Sequence, residues 1–257
     1  MATRISDDAQ PTPQAASLGG RDRSVRTVII GDVHGCLKEL NELLGILSLC
    51  HHDRVIFVGD LVHKGPNSED VVRRVMAMRG EVGELVLVKG NHEDKACKQR
   101  LLNLTDHEWS FLTSSVFWYK GPGYVVAHGG IPTELDVLPA DPRWVETLSN
   151  RNRKCYDNML RIRKVDAEGK FVALADTKAT DVFWATRYDG RFGICYFGHE
   201  PFFGDHPEVF PYAIGTDLGC VFGRKLCAVL VDDSGRVSQY VTVQAEQQYC
   251  AGLGSET

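Results

Sequence analysis

Apolar residues fall in short runs whose period changes from segment to segment. RTVIIGD (26–32) is a β-branched run ending in Gly-Asp, and the following CLKELNELLGILSL places Leu37, Leu40, Leu44 and Leu47 on one helical face. The first predicts a strand and the second a helix. The pattern returns twice. RVIFVGD (54–60) precedes a Gly-Pro loop and a helix predicted from Ser68 through Met78, and ELVLVKG (84–90) leads into a helix entered at Asn91 or just after it. Three strand-loop-helix units in succession predict an α/β protein. YVVAHGG (124–130) is a further strand ending in a His-Gly-Gly loop. Between Pro142 and Lys170, Trp144, Leu148, Cys155, Met159 and Ile162 recur at helical spacing, which predicts a helical insertion at about 142–170. Strands resume with GICYFGH (193–199), YAIGTD (212–217), KLCAVLV (225–231) and RVSQYVTVQ (236–244), the last two joined by Asp-Asp-Ser-Gly, a hairpin signal. Residues 1–24 hold almost no large apolar side chain and are expected to form a tail, and the polar stretch 245–257 is expected to fray. One folded domain is therefore expected over 25–244.

Composition narrows the class. The 257 residues are 43% hydrophobic and 25% charged, as in an ordinary globular chain, which excludes collagen-like, coiled-coil and wholly disordered chains. No apolar run approaches the roughly 20 residues that span a bilayer, and no basic segment with an apolar stretch opens the chain. No membrane partner is expected, and the cytoplasm is the expected address. The eight cysteines form no C-x-x-C pair and are expected to be reduced packing residues. A net charge of -5 argues against non-specific nucleic-acid binding, so any phosphate-bearing ligand must be gripped locally. The 142–170 segment is the exception, with eight basic residues against four acidic. Those charges either face a phosphate chain or coat a solvated helix.

The chemistry concentrates where strands end. Open α/β sheets place ligands at the loops after the carboxyl ends of their strands. Here those loops read Gly-Asp-Val-His-Gly (31–35), Gly-Asp (59–60), Gly-Asn-His-Glu (90–93), His-Gly-Gly (128–130) and Gly-His-Glu (198–200). Mixed oxygen and imidazole donors suit manganese, iron or zinc better than a thiolate site or an all-oxygen cage. Two such ions about 3.5–4 Å apart can share a carboxylate and clamp a water beside a phosphoryl oxygen. Any one of these loops alone reads as a cap or a turn, but five after five apolar strands do not.

The order GDVHG, GD-x-x-x-x-G, GNHE, HGG, GH resembles that of the calcineurin-like metallophosphoesterases, in their phosphoprotein-phosphatase branch. GDLVHKGP departs from the GD-x-V-D-R-G of the protein phosphatases and, with HGGIP, WATRYDG and GTDLGCVFGRKLCAV, is similar to the ApaH-like group, relatives of bacterial diadenosine tetraphosphatase. The resemblance covers about 25–244. It implies a central β-sandwich flanked by helices rather than the purely parallel sheet suggested by the first three units. It further implies two divalent ions, with manganese expected and iron, zinc, cobalt or magnesium as alternatives. By position, Asp32, His34 and Asp60 resemble the ligands of one metal, with Asp60 bridging, and Asn91, His128 and His199 complete the other. Asn91 also falls beside the phosphate, His92 matches the general acid, and Lys64 and Arg191 fall where the family's phosphate-gripping arginines lie. Arg187 is a second candidate for that grip.

Two departures bear on substrate. His63 stands where the protein phosphatases carry an Asp that orients and charges the catalytic histidine, so His92 is expected to be a weaker acid. A general acid matters most for a serine alkoxide and least for a nucleotide phosphate, which leaves readily as an anion. Lys64 replaces a planar fork by a point charge, which still attracts a polyphosphate chain. The expected activity is therefore hydrolysis of nucleotide polyphosphates, diadenosine tetraphosphate first, through a metal-bridging hydroxide. A phosphoserine/threonine protein phosphatase and an RNA-cap pyrophosphatase are the alternatives. A metal-binding module without turnover is disfavoured because every inferred ligand is present. Nothing in the chain points to a regulatory subunit.

Overall fold

The computed structural model describes residues 25–232 and 234–251. The tail expected at 1–24 lies outside them. In chain order, β1 (Thr27–Ile30) leads to α1 (Leu37–Leu47), β2 (Arg54–Phe57) to α2 (Ser68–Ala77) and β3 (Glu84–Leu87) to α3 (Asn91–Gln99). Helix α4 (Asp106–Thr113) precedes a hairpin of β4 (Trp118–Gly121) and β5 (Tyr124–Ala127). Helix α5 (Asn150–Asn158) and three short strands, β6 (Lys164–Val165), β7 (Phe171–Val172) and β8 (Val182–Phe183), fill the middle. Strands β9 (Ile194–Phe197), β10 (Glu208–Val209), β11 (Ala213–Gly215), β12 (Lys225–Val231) and β13 (Val237–Gln244) follow.

The strands form two mixed five-stranded sheets, ordered β13-β12-β1-β2-β3 and β10-β11-β9-β5-β4, and a small sheet β7-β6-β8. In the first, β1 runs parallel to β2 and antiparallel to β12, with Val28 opposite both Val55 and Leu230. Successive strand residues point to opposite faces. Val28, Ile30, Val55 and Phe57 pack with Leu40, Leu43, Leu44 and Leu47 of α1. Between them, Ile29 and Ile56 meet Tyr124, Val126 and Tyr196 of the second sheet. On that sheet's far face, Val125, Ala127, Cys195 and Phe197 pack against Met159, Leu160 and Trp184. Both faces of each central strand are therefore buried, which is why VII and VIF are unbroken apolar runs. Each such side chain contributes about 1.5–3 kcal/mol by leaving water. The architecture is the sandwich expected from the resemblance, with helices outside.

Three expectations are revised. Helix α4 went unpredicted although Thr105 and Glu108 form a reciprocal capping box at its start, a signal present in the sequence as Thr-Asp-His-Glu. The segment 142–170 is only partly helical: a 3-10 turn over Pro142–Thr147 and α5 give way to β6, which pairs with β7 and β8. Its apolar spacing continues past Asn158 because Met159 and Ile162 reach the same core from an irregular turn. The stretch after Ala245 does not fray as far as Cys250. The N–H groups of Tyr249 and Cys250 donate to the Val221 carbonyl, and Glu246 N and the Tyr249 hydroxyl donate to Glu39. All eight cysteines are free thiols. Among the described residues no helix is long and apolar enough to cross a membrane.

Candidate metal centre

The loops that follow β1, β2 and β3 of one sheet and β5 and β9 of the other meet at one end of the sandwich and interlock. Val33 N and His34 N donate to the Asp60 carbonyl at 3.2 and 2.8 Å, Gly35 N donates to that of Leu61, and Gly198 N to that of His128. Two of these loops are anchored on Glu93, whose buried carboxylate accepts the N–H groups of Asp60, Leu61 and Gly90 at 2.7, 2.8 and 2.9 Å. Glu93 was not singled out in the sequence, although Gly-Asn-His-Glu at a helix start is a capping signal.

The backbone here is strained. Among the described residues seven non-glycine residues have positive φ, and five of them, His34, Asp60, His63, Lys64 and His199, lie in these loops. Such conformations cost free energy and persist only where surrounding contacts over-determine them. Gly59, at φ +112°, shows why the loops close so tightly: a Cβ there would stand 2.7 Å from Gly90 N and 2.8 Å from His128 Nδ1.

Asp60 occupies the centre. Its Oδ2 lies 3.3 Å from His128 Nε2, 3.6 Å from His34 Nε2 and 4.0 Å from His92 Nε2, while Oδ1 accepts His92 N. Two clusters of donor atoms share it: His34, Asp60 and His92 on one side, and Asp60, His128 and His199 on the other. Asp32 approaches His34 Nε2 to 3.9 Å and accepts His199 N at 3.0 Å, and Asn91 Oδ1 lies 3.0 Å from His128 Nε2. The six residues expected to hold metal, with His92, are thus in one place, and all but Asn91 are buried.

The donor set fits divalent cations. His34 Nδ1 faces the Val62 carbonyl and His128 Nδ1 the Val58 carbonyl. A carbonyl only accepts, so the His34 proton sits on Nδ1 and its Nε2 lone pair points inward; His128 Nε2 meets oxygens of Asn91 and Asp60, a grouping of donor atoms that a cation would reconcile with the same tautomer. Asp32 Oδ1 is buried with no hydrogen-bond partner, as a carboxylate oxygen awaiting a cation would be.

The same crowding shifts the site's titratable groups. Burial, reinforced by Asp217 and Asp60, pushes the Asp32 carboxyl well above the usual range. Burial acts in the same direction on Asp60, but the imidazoles of His128, His92 and His34 outweigh it and hold that carboxyl well below. Burial lowers His34 to about 3 and raises Glu93 to about 7 and Asp217 to about 6. Asp217, a buried acid after β11, is a site neighbour that sequence reasoning missed. Its signal was available, since Gly-Thr-Asp ends a strand as the other motifs do.

His63 reaches the site differently from expectation. Its Nδ1 lies 3.1 Å from His92 Nδ1, so His92 keeps an orienting partner, though a neutral one; burial and the neighbouring His92 lower the His63 pKa. His63 Nε2 is buried without a hydrogen-bond partner. A stranded acceptor costs less than a stranded N–H. That places the shared proton on His63 Nδ1 and leaves His92 with its own on Nε2, toward Asp60.

Lys64 joins the cluster, its Nζ 3.5 Å from His34 Nε2. The other two cations expected at the phosphate do not. Arg191 is held by Asp189 and Asp136 and donates to the carbonyls of Thr133 and Leu135, and Arg187 is exposed with no contact to the cluster. From the basic insertion, Arg163 donates to the His199 carbonyl and to Glu200, and half-exposed Arg161 pairs with Asp94 two residues after His92. Arginines inside a charged segment carry no individual sequence signal, so these two were indistinguishable from their neighbours.

A model of the calcineurin-like phosphoesterase family matches residues 25–227. An asymmetrical bis(5′-nucleosyl)-tetraphosphatase of Oceanobacillus iheyensis is 27% identical over 259 aligned positions, covering 87% of this chain and 94% of the relative. A symmetrical bis(5′-nucleosyl)-tetraphosphatase of Coxiella burnetii is 26% identical, covering 82% and 90%. A crystal structure of a candidate diadenosine tetraphosphatase superposes with a TM-score of 0.66 at 25% identity, covering 86% of this chain and 94% of that one.

Proposed function

The chain belongs to the calcineurin-like phosphoesterase family and is a hydrolase; on that premise we propose that it is a binuclear metal enzyme cleaving nucleotide polyphosphates, with diadenosine tetraphosphate as the leading substrate. The observation that carries this reading is the Asp60 carboxylate, shared by two donor clusters and ringed by three imidazoles. Asp32, His34 and Asp60 would hold one cation, and Asp60, Asn91, His128 and His199 the other. When bound, the pair, expected to be manganese, would activate water as the nucleophile at neutral pH and neutralise charge on the phosphoryl oxygens.

The chain's own groups do the rest. The Val62 carbonyl fixes the tautomer of His34, and the Val58 carbonyl would do the same for His128 once a cation occupied its Nε2 side. His92 holds a proton at Nε2 for the departing oxygen, aligned by His63 without a negative charge to strengthen it. Such an acid suffices for a nucleotide phosphate leaving group and serves a serine alkoxide poorly. Lys64 attracts the phosphate chain as a point charge. The names of the relatives favour the same substrate class but divide between symmetrical and asymmetrical cleavage.

A substrate panel with manganese tests the reading: diadenosine tetraphosphate, capped RNA, inorganic polyphosphate, a phosphoserine peptide and p-nitrophenyl phosphate. The expected result is a kcat/KM highest for diadenosine tetraphosphate. Efficient turnover of the peptide without anhydride cleavage overturns it.

A further inference from the structure

Beside the charged cluster the surface changes character. The turn after β11 carries Phe222, and the loop after His199 carries Phe203. Their rings meet edge to face, with centroids 6.2 Å apart and planes at 86°. Phe222 rests partly on the core beneath, whereas Phe203 is 46% exposed. A single exposed phenylalanine is ordinary. Two rings set at right angles form a corner with an open aromatic face.

The corner is held in place and tied to the site. Gly219, at φ +73°, runs beneath Phe203, and a Cβ there would stand 2.8 Å from the ring. Arg224 donates to the Phe203 carbonyl from the other side of the same turn. The Lys64 ammonium lies 5.5 Å from the centre of the Phe222 ring and 3.5 Å from His34 Nε2. One cation therefore links the Asp/His cluster to the aromatic corner. That sequence of surfaces, an Asp/His cluster that would hold cations for a phosphoryl group, then an ammonium, then a flat apolar face, matches the order of groups along a nucleoside polyphosphate.

We infer that Phe203 and Phe222 form the platform on which the nucleobase of the substrate stacks. This rests on the reading of the site as a nucleotide-polyphosphate hydrolase and adds the element that separates nucleotides from inorganic phosphate chains. Bases stack on aromatic rings irrespective of sequence because each has a π-face. Stacking alone reads no hydrogen-bond edge, so adenine and guanine nucleotides are held alike.

The test is titration calorimetry on the manganese-loaded protein and its Phe203→Ala and Phe203→Trp variants. The probes are methylene-bridged analogues of adenosine and guanosine triphosphate, and methylenediphosphonate, which has the charge but no base. Phe203→Ala is expected to weaken both nucleotides about 5- to 100-fold, to leave methylenediphosphonate within about twofold, and Phe203→Trp to restore nucleotide binding. KM for diadenosine tetraphosphate should rise in parallel while kcat changes little. Equal loss for all probes, or none, overturns the platform. Failure of the hydrolase reading looks different: the wild-type protein would cleave no dinucleotide while the nucleotide selectivity still depended on Phe203.

Discussion

His63 Nδ1 lies 3.1 Å from His92 Nδ1, so the residue paired with the inferred general acid is an imidazole rather than a carboxylate. The orienting contact survives the loss of the aspartate that the protein phosphatases carry; the charge does not. The double change His63→Asp with Lys64→Arg should therefore strengthen His92 and restore a forked grip on one phosphoryl group. The ratio of kcat/KM for a phosphoserine peptide to that for diadenosine tetraphosphate is expected to rise about 10-fold or more. Metal content must be measured alongside. A ratio that stays put with both metals bound defeats the leaving-group reading.

Asp60→Asn should abolish turnover more completely than any other ligand change, because this carboxylate alone belongs to both donor clusters. A loss greater than about 100-fold is expected, since even residues that only support metal ligands cost up to that. Elemental analysis should find fewer than two metals per chain. A two-metal, fully active variant removes the bridging role.

Glu93→Ala tests the anchor beneath the site. It would leave the N–H groups of Asp60, Leu61 and Gly90 without their acceptor in a buried place. Each stranded donor costs about 1–3 kcal/mol. A total near 3 kcal/mol lowers Tm by about 10 °C in a chain of this size. Thermal denaturation with metals bound checks it, and an unchanged Tm would mean that the loops hold one another without Glu93.

Acid sensitivity has an identifiable source away from the site. Burial raises the Asp53 carboxyl, but the Arg26 guanidinium, which donates from Nε and Nη2 at 3.0 and 2.7 Å, together with Cys50 N, outweighs it and holds the value low. A carboxyl depressed on folding stabilises above its unfolded pKa, about 3.9, and loses that contribution as pH falls through the folded value. The Tm advantage of the native chain over Asp53→Asn should be full near pH 7, shrink below about pH 4 and then disappear. An advantage independent of pH would assign it to packing.

Much of the fold is written locally. The unbroken runs VII and VIF mark strands covered on both faces, the leucine spacing marks α1, and Gly-flanked Asp, Asn and His at strand ends mark where a cation centre belongs, because parallel strands deliver their following loops to the same end of each sheet. Spacing could not register what depends on approach between distant segments. The ion pairs of Arg191 with Asp189 and Asp136 could not be read from spacing, nor could the approach of Arg161 and Arg163 to the site's loops from a charged stretch in which no one arginine stands out. The stretch after Ala245 looked frayed because its partners, Glu39 and Val221, lie far back in the chain. Likewise the contact of His63 with His92, the burial of Asp217 and the meeting of Phe203 with Phe222 exist only once both sheets are closed. Periodicity is a property of neighbours in sequence and survives in the unfolded chain; a hydrogen-bond partner or a stacked ring is a property of the packed core, and only the tertiary structure decides it.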